Sequence, residues 1–272
     1  VNPQVHELFD KATGTLTYIV WDPRTKDAVI IDPVLNYDPA TQITSHESLK
    51  AIRHFVETER LNVHWILETH AHADHLSAAR DLKIAGLGAA IGVSERMNGV
   101  FNTFAKVFGW PKSLTLKGVD RFFQDGEEFT AGSLRWQTIA TPGHTSACTT
   151  FKIGEFLFTG DALFMPDSGV GRCDFPGGSA ATLYDSVWGK IYAFPEHYVV
   201  FVGHDYQPGG RPLRFRSTVG EQKSGNTHLR ESTSRADFVK FRENRDKTLT
   251  APRLLNPSLD WNLGAHQIVR PL

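Results

Sequence analysis

The chain has 272 residues, with 29 Lys and Arg against 30 Asp and Glu, which at roughly 100–200 residues per domain means one large domain or two small ones with ample core. Its two cysteines, Cys148 and Cys173, exclude a disulfide framework and a four-cysteine zinc site. A formal charge of −1 with a pI near 6.9 excludes the basic field that nucleic acid requires, and apolar runs no longer than a strand exclude a membrane-crossing helix.

The start, Val1-Asn2-Pro3-Gln4, has no basic segment followed by an apolar one; the default expectation is a cytoplasmic protein, although the absent initiator Met allows a removed leader. Val5 to Phe9, Leu16 to Trp21 and Ala28 to Ile31 read as strands, the last closing on Asp32-Pro33. Helical spacing follows from Thr44 to Leu61, with Leu49, Ile52, Phe55 and Val56 on one stripe and Thr44 or Ser45 as caps. Val63 to Leu67 reads as a strand, and Leu76, Ala79, Leu82 and Lys83 as a second helix. From Ile91 to Lys117 the pattern suggests helix and loop, its aromatic stripe of Phe101, Phe104 and Phe108 serving the core. Strands return at Phe129, Leu134 to Ile139, Ala147 to Ile153 and Phe156 to Phe158, then a helix over Ala180 to Tyr192 and a strand over Tyr198 to Val202. Sheets flanked by helices predict a layered α/β domain. With no linker or repeat, the expectation is a catalytic domain over 1–208 and a C-terminal segment over 209–272 packed on it. In that segment Phe215, Phe238, Phe241 and Trp261 would cover the domain or make a homodimer contact.

The densest chemical signal is His70-Ala71-His72-Ala73-Asp74-His75. In extended chain His70 and His72 point to one side, and Asp74 and His75, at the start of the expected helix, can face the same point. Imidazole and carboxylate suit zinc, iron or manganese, and the lack of thiolate argues against a closed structural zinc site. Three more segments share one context: Thr141-Pro142-Gly143-His144, Thr159-Gly160-Asp161 and Val202-Gly203-His204 each follow a strand and place a glycine before a ligand type. A glycine there permits the sharp turn that delivers a side chain into the crevice beyond the strand ends.

In this order these motifs resemble the metal signature of the metallo-β-lactamase superfamily over residues 15 to 205. The resemblance implies an αββα sandwich, α/β (α+β) with two mixed sheets and outer helices, and seven candidate ligands: His70, His72, Asp74, His75, His144, Asp161 and His204. It does not choose among the hydrolytic and redox reactions of that fold. Gly171-Arg172-Cys173-Asp174-Phe175, Thr182-Leu183-Tyr184-Asp185-Ser186-Val187, His204-Asp205-Tyr206 and the 217–222 and 238–240 segments resemble the persulfide dioxygenase (sulfur dioxygenase) family. That likeness implies one Fe(2+) per chain on His70, His144 and Asp161, with His72, Asp74, His75 and His204 in supporting positions or holding a second metal. It further implies oxidation of glutathione persulfide, or a similar small persulfide, with O2 to glutathione and sulfite.

Under the same resemblance Arg172 would take a substrate carboxylate, or else brace its loop on Asp167 or Asp174, and Tyr206 would project toward the metal and hydrogen-bond bound sulfur or oxygen. Cys148 reads as a small buried hydrophobe and Cys173 as a poor nucleophile. The stretch between Asp161 and Arg172, and the 91–117 segment, look longer than in the family's best-known members and would border the substrate entrance. The rival reading is a dinuclear Zn(2+) hydrolase of the hydroxyacylglutathione thioesterase kind, in which Asp161 would bridge two metals.

Overall fold

The computed structural model describes residues 3–116 and 118–264. Val1 and Asn2, Lys117 at the end of the expected helix-and-loop stretch, and 265–272 at the end of the expected C-terminal segment lie outside the described residues.

Two six-stranded sheets face each other. The first runs in the order Gln4–Asp10, Thr15–Trp21, Asp27–Ile31, Asn62–Leu67, Ala90–Ser94 and Arg121–Phe123. Its first two pairings are antiparallel and the remaining three parallel. The second runs Glu128–Ala131, Leu134–Ala140, Thr149–Ile153, Phe156–Phe158, Val199–Phe201 and Arg216–Thr218, and is antiparallel except between Phe156–Phe158 and Val199–Phe201. Thr15–Trp21 is buried along its whole length. Successive side chains leave opposite faces of a strand. Thus Leu16, Tyr18 and Val20 join Trp136, Phe151 and Phe158 between the sheets, whereas Ile19 and Trp21 pack outward against Leu49, Ile52 and Val56 of helix Glu47–Glu59. Helices Ala180–Ser186 and Arg235–Asp246 join the apolar cluster of the second sheet through Leu183 and Phe238. No helix of the described residues is long and apolar enough to cross a membrane.

Several elements differ from expectation. Ile43–Ser45 is a strand on the missed strand Val34–Asp38, so the helix expected from Thr44 begins at Glu47, with His46 rather than Thr44 or Ser45 at its N-cap. It ends on Arg60 in the left-handed region at φ 55°. Leu76–Ser77 is also a strand, on Val34–Asp38, and the second helix starts at Ala79; Asp74 and His75 therefore occupy a turn and not a helix start. The 91–117 stretch opens on strand Ala90–Ser94 before helix Met97–Val107. That short run lacks alternation because it is a parallel strand covered on both faces. Gly92 is required there, since a Cβ would lie 2.2 Å from the Phe123 ring. The strand expected from Ala147 begins at Thr149. Phe101 and Phe104 are core residues, packed with Leu259 and Leu263 of helix Leu255–Leu263.

The segment after 209 is tied to the rest by buried polar groups. Arg242 is 2% exposed and its Nε donates to Asp246 Oδ1 at 2.8 Å. Asp246 Oδ2 in turn accepts the Cys173 N–H at 2.8 Å, and Arg242 Nη1 donates to the Val170 carbonyl at 3.3 Å. Asn262 Nδ2 donates to the carbonyls of His72 and His75, 2.9 Å each, and its Oδ1 accepts the Ser77 N–H at 2.8 Å. Removing one partner of a buried pair strands the other charge. Asp246→Ala is expected to lower the unfolding free energy by about 3–5 kcal/mol, and the paired replacement Arg242→Met with Asp246→Leu to restore most of that. Urea unfolding of the two variants beside the parent tests this; equal midpoints for Asp246→Ala and the parent would contradict it.

Candidate metal centre

The site is built where strand ends of both sheets meet. His70 follows Asn62–Leu67, His144 follows Leu134–Ala140, Asp161 follows Phe156–Phe158 and His204 follows Val199–Phe201. Backbone hydrogen bonds lace these ends together: Thr149 N–H to the Thr69 carbonyl at 2.9 Å, Gly203 N–H to Gly160 at 3.1 Å and Leu16 N–H to Gly203 at 2.9 Å. The glycines before the ligands answer two demands. Gly160 sits at φ +51°, and a Cβ on it would lie 2.5 Å from Thr69 Oγ1; a Cβ on Gly143, at φ +149°, would lie 2.4 Å from the Leu183 backbone. Turning the chain and letting neighbouring loops touch both require the missing side chain.

Asp32, which the sequence reading left without a role, organises the centre. It is buried, stands at φ +50°, and its carboxylate accepts the Thr69 N–H and the Thr69 hydroxyl, each at 2.7 Å. With its one proton committed to Asp32, Thr69 Oγ1 accepts from His70 Nδ1 at 2.9 Å. That leaves His70 Nε2 as a lone pair aimed into the site. Burial, and then the neighbouring His72 and His144, hold the His70 pKa well below its ordinary value, so the ring is neutral and ready to ligate. His144 is oriented in the same way: Nδ1 donates to the Arg172 carbonyl at 2.6 Å, freeing Nε2.

Around Asp161 the nitrogens close in. His144 Nε2 lies 3.5 Å and His70 Nε2 3.9 Å from Asp161 Oδ2, while His204 Nε2 lies 3.3 Å from Asp161 Oδ1 and 3.3 Å from Asp74 Oδ2. Ligands at roughly 2.0–2.2 Å from one ion stand about 3–4 Å apart, the spacing found here. Four buried polar atoms, His70 Nε2, His72 Nδ1, His75 Nε2 and Asp161 Oδ1, have no hydrogen-bond partner among the described residues. Such orphans are costly unless a bound group satisfies them, so His70 and Asp161 fit a metal ion, and the free nitrogens of His72 and His75 offer donors for a second. Three groups of three converge among the described residues: His70, His144 and Asp161; His72, Asp74 and His75; and Asp32, Glu68 and His72, the last already joined by hydrogen bonds.

His72 is held from behind. Its Nε2 lies between Glu68 Oε2 at 2.9 Å and Asp32 Oδ1 at 3.1 Å, with Nδ1 free. Burial alone would lower its pKa, but Asp32 and then Glu68 raise it well above the usual value. Glu68, also unassigned by the sequence reading, shares its other oxygen with the Ser77 hydroxyl. Thr15, missed too, places its hydroxyl 3.3–3.4 Å from His75 Nδ1, His204 Nδ1 and Asp74 Oδ2. Asp32 had a readable signal, an acid closing a buried strand before a proline; Glu68 and Thr15 had none outside the tertiary structure.

A cavity of about 250 Å³ opens on Asp74, His144 and Asp161, with Phe164, Phe175 and Tyr206 on its wall. Tyr206 is 58% exposed. Its ring is stacked parallel to the His204 ring at 5.5 Å and meets Phe164 edge-on at 5.8 Å; its hydroxyl is unpartnered among the described residues. Arg172 is engaged. Its Nε and Nη2 form a fork on Asp174 at 2.6 and 2.7 Å, and Nη1 donates to the Thr250 carbonyl at 2.7 Å. It therefore braces the 171–175 loop, while Asp167 pairs with Arg211 instead. Both cysteines are buried; burial pushes the Cys148 thiol up to about 12 and raises Cys173 further, so neither is a nucleophile at neutral pH.

Because a bound ion satisfies the orphaned atoms, chelator dialysis is expected to lower the melting temperature by roughly 5–10 °C, with recovery on adding back metal. Gly160→Ala is expected to bind substoichiometric metal and to melt the same with or without chelator. Scanning calorimetry with metal analysis reads both; a parent protein indifferent to chelator would contradict the assignment.

Comparison with known proteins agrees with this geometry. The sequence pattern described as Metallo-beta-lactamase superfamily matches residues 11–204. A "Beta-lactamase hydrolase-like protein" of Xylella fastidiosa is 42% identical over 271 residues, 99% of this chain; the chain spans 62% of that relative's length. "Glyoxylase B2" of Dictyostelium discoideum is 40% identical over 97% of this chain and 91% of its own. "Persulfide dioxygenase ETHE1, mitochondrial" of Mus musculus is 31% identical over 95% of this chain and 87% of its own. The crystal structure of ETHE1 from Myxococcus xanthus superposes with a TM-score of 0.77 at 29% identity, covering 95% of this chain and 97% of that one. Fold, ligand geometry and sequence together show that the chain belongs to the metallo-beta-lactamase superfamily.

Proposed function

We propose that the chain is a persulfide dioxygenase that holds one ferrous iron on His70, His144 and Asp161. The observation that carries this reading is where the cavity opens: two of the three proposed iron ligands, His144 and Asp161, line it, against Asp74 alone of the group His72, Asp74 and His75. A face of two imidazoles and one carboxylate, open on the side a substrate reaches, is the donor set suited to mononuclear non-haem iron. The likeness to proteins named persulfide dioxygenase, over nearly the whole chain, supports the same choice.

Bound there, iron would supply open coordination positions and the redox chemistry of dioxygen. The chain's own residues do the rest. The Arg172 carbonyl keeps the His144 ring in register, and Thr69 keeps His70. Phe164, Val170, Phe175 and Leu249 give the cavity an apolar wall that suits a soft sulfur and excludes bulk water. His204 Nε2, between the Asp74 and Asp161 carboxylates, holds a proton beside the reacting end; burial opposes its charge, but Asp161 and Asp74 raise its pKa. In the overall reaction a persulfide, O2 and water give a thiol, sulfite and two protons. The outer sulfur is oxidised by four electrons, O2 is reduced by four, and the sulfur–sulfur bond breaks.

The second group, His72, Asp74 and His75, together with relatives named for hydrolase and glyoxylase activity, favours a second reading: a dinuclear zinc thioesterase. The two separate on one sample. With fresh glutathione persulfide, the anaerobically iron-loaded protein is expected to consume O2 and release sulfite one for one, and Asp161→Asn is expected to lose at least 100-fold in rate. Thioester hydrolysis by the zinc-loaded protein, without O2 uptake by the iron-loaded one, would overturn the proposal.

A further inference from the structure

Two parts of the cavity wall come from separate stretches of chain. Phe164, Ser168 and Val170 belong to the stretch between Asp161 and Arg172, expected at the substrate entrance, and Tyr206 follows His204-Asp205. The first stretch is rooted by two buried amides: Gln222 Nε2 donates to the Phe164 carbonyl at 2.8 Å and Asn226 Nδ2 to the Gly169 carbonyl at 3.0 Å. Between these roots the Ser168 N–H closes a turn on the Met165 carbonyl at 2.8 Å, with Asp167 inside it. In the second stretch the Asp205 N–H donates to the Gly14 carbonyl at 2.9 Å. The Tyr206 ring rests on His204 and against Gly14, where a Cβ would lie 3.1 Å from it.

One side chain joins the two stretches. Arg211 Nε and Nη2 donate to the Asp167 carboxylate at 2.5 and 2.9 Å, and Nη1 and Nη2 donate to the Asp205 carboxylate at 2.7 Å each. Nη1 also donates to the Pro212 carbonyl at 3.0 Å, so all five guanidinium N–H groups are matched. Asp205 is buried, and its oxygens further accept the Gln207 and Arg214 N–H groups at 3.3 and 2.8 Å, which sets the backbone around Tyr206. Asp167 is the more open partner, with 36% of its side chain exposed. A pair that open adds little to stability. Its consequence is geometric, since it fixes the turn that carries Ser168 against the backbone that carries Tyr206.

We propose that Arg211 is a positioning residue for substrate: through Asp167 and Asp205 it holds the Phe164–Val170 side of the cavity at a fixed distance from Tyr206, and so sets the width that a substrate meets on its way to His144 and Asp161. The role belongs to the cavity and does not depend on which of the two reactions takes place there. A planar guanidinium can serve two carboxylate forks at once, which the point charge of a lysine cannot.

Outright removal of Arg211 would leave Asp205 buried and unpaired, so the test uses Arg211→Lys, Asp167→Ala and the double variant. Asp167→Ala is expected to keep its metal complement and to melt within about 3 °C of the parent. Hydrogen exchange is expected to speed about threefold or more at the Ser168 and Gly169 amides in both single variants, and at the Asp205 and Gln207 amides in Arg211→Lys. With glutathione persulfide, KM is expected to rise about fivefold in Asp167→Ala, the larger part of the effect lying in KM rather than kcat. The double variant is expected to match Arg211→Lys alone, because both substitutions cut one link. Exchange at the parent rate in both segments, an unchanged KM, or effects that add in the double variant would overturn the proposal. If no persulfide is consumed, the dioxygenase reading fails, and the exchange rates together with KM for a thioester on the zinc-loaded protein decide the role of Arg211 by themselves.

Discussion

Asp32 carries the constraint on which the rest of this centre depends. A carboxylate closed off from water costs several kcal/mol unless its oxygens are matched, and here every match is a group that the metal site needs. The Thr69 N–H fixes the chain where the histidine loop begins, the Thr69 hydroxyl passes the orientation on to His70, and His72 Nε2 is held between Asp32 and Glu68. The same residue stands at positive φ without being glycine, a backbone cost that persists only where the surroundings over-determine it. The ligand geometry thus descends from one buried acid at the end of a central strand.

A second layer of constraint comes from outside the sheets. The histidine loop is irregular backbone, and its carbonyls at His72 and His75 need donors; Asn262, on helix Leu255–Leu263, supplies them. The 170–174 loop likewise leaves a backbone N–H and a carbonyl that Asp246 and Arg242 satisfy. The histidine loop and the loop that orients His144 are therefore each completed by a helix from the last quarter of the chain. The same helix that completes the 170–174 loop also lines the cavity through Arg242 and Arg245, so support of that loop and the shape of the cavity are coupled.

Much of this was legible in the sequence because the chemistry is local there. Three histidines and an acid within six residues, and three later glycine-plus-ligand turns at strand ends, carry their own geometry. The large strands announced themselves by apolar runs. What stayed hidden was set by tertiary contact. Ala90–Ser94 opens the stretch read as helix and loop and is a strand only with Phe123 laid across Gly92, and Ile43–Ser45 and Leu76–Ser77 are strands only because Val34–Asp38 lies between them. For Arg172 the sequence left two readings open, a substrate carboxylate under the family resemblance or a loop brace on Asp167 or Asp174; that Asp174, two residues on, takes its fork is a matter of loop conformation.

The central claim is that one iron on His70, His144 and Asp161 performs the chemistry while His72, Asp74 and His75 support it. Titrating metal-free protein anaerobically with ferrous iron and following oxygen consumption per iron bound tests it most directly. The account predicts activity that rises in proportion to iron and saturates at about one per chain, with zinc inhibiting by occupying the same ligands. Activity that appears only at two metals per chain, or that zinc supports as well as iron does, would contradict it.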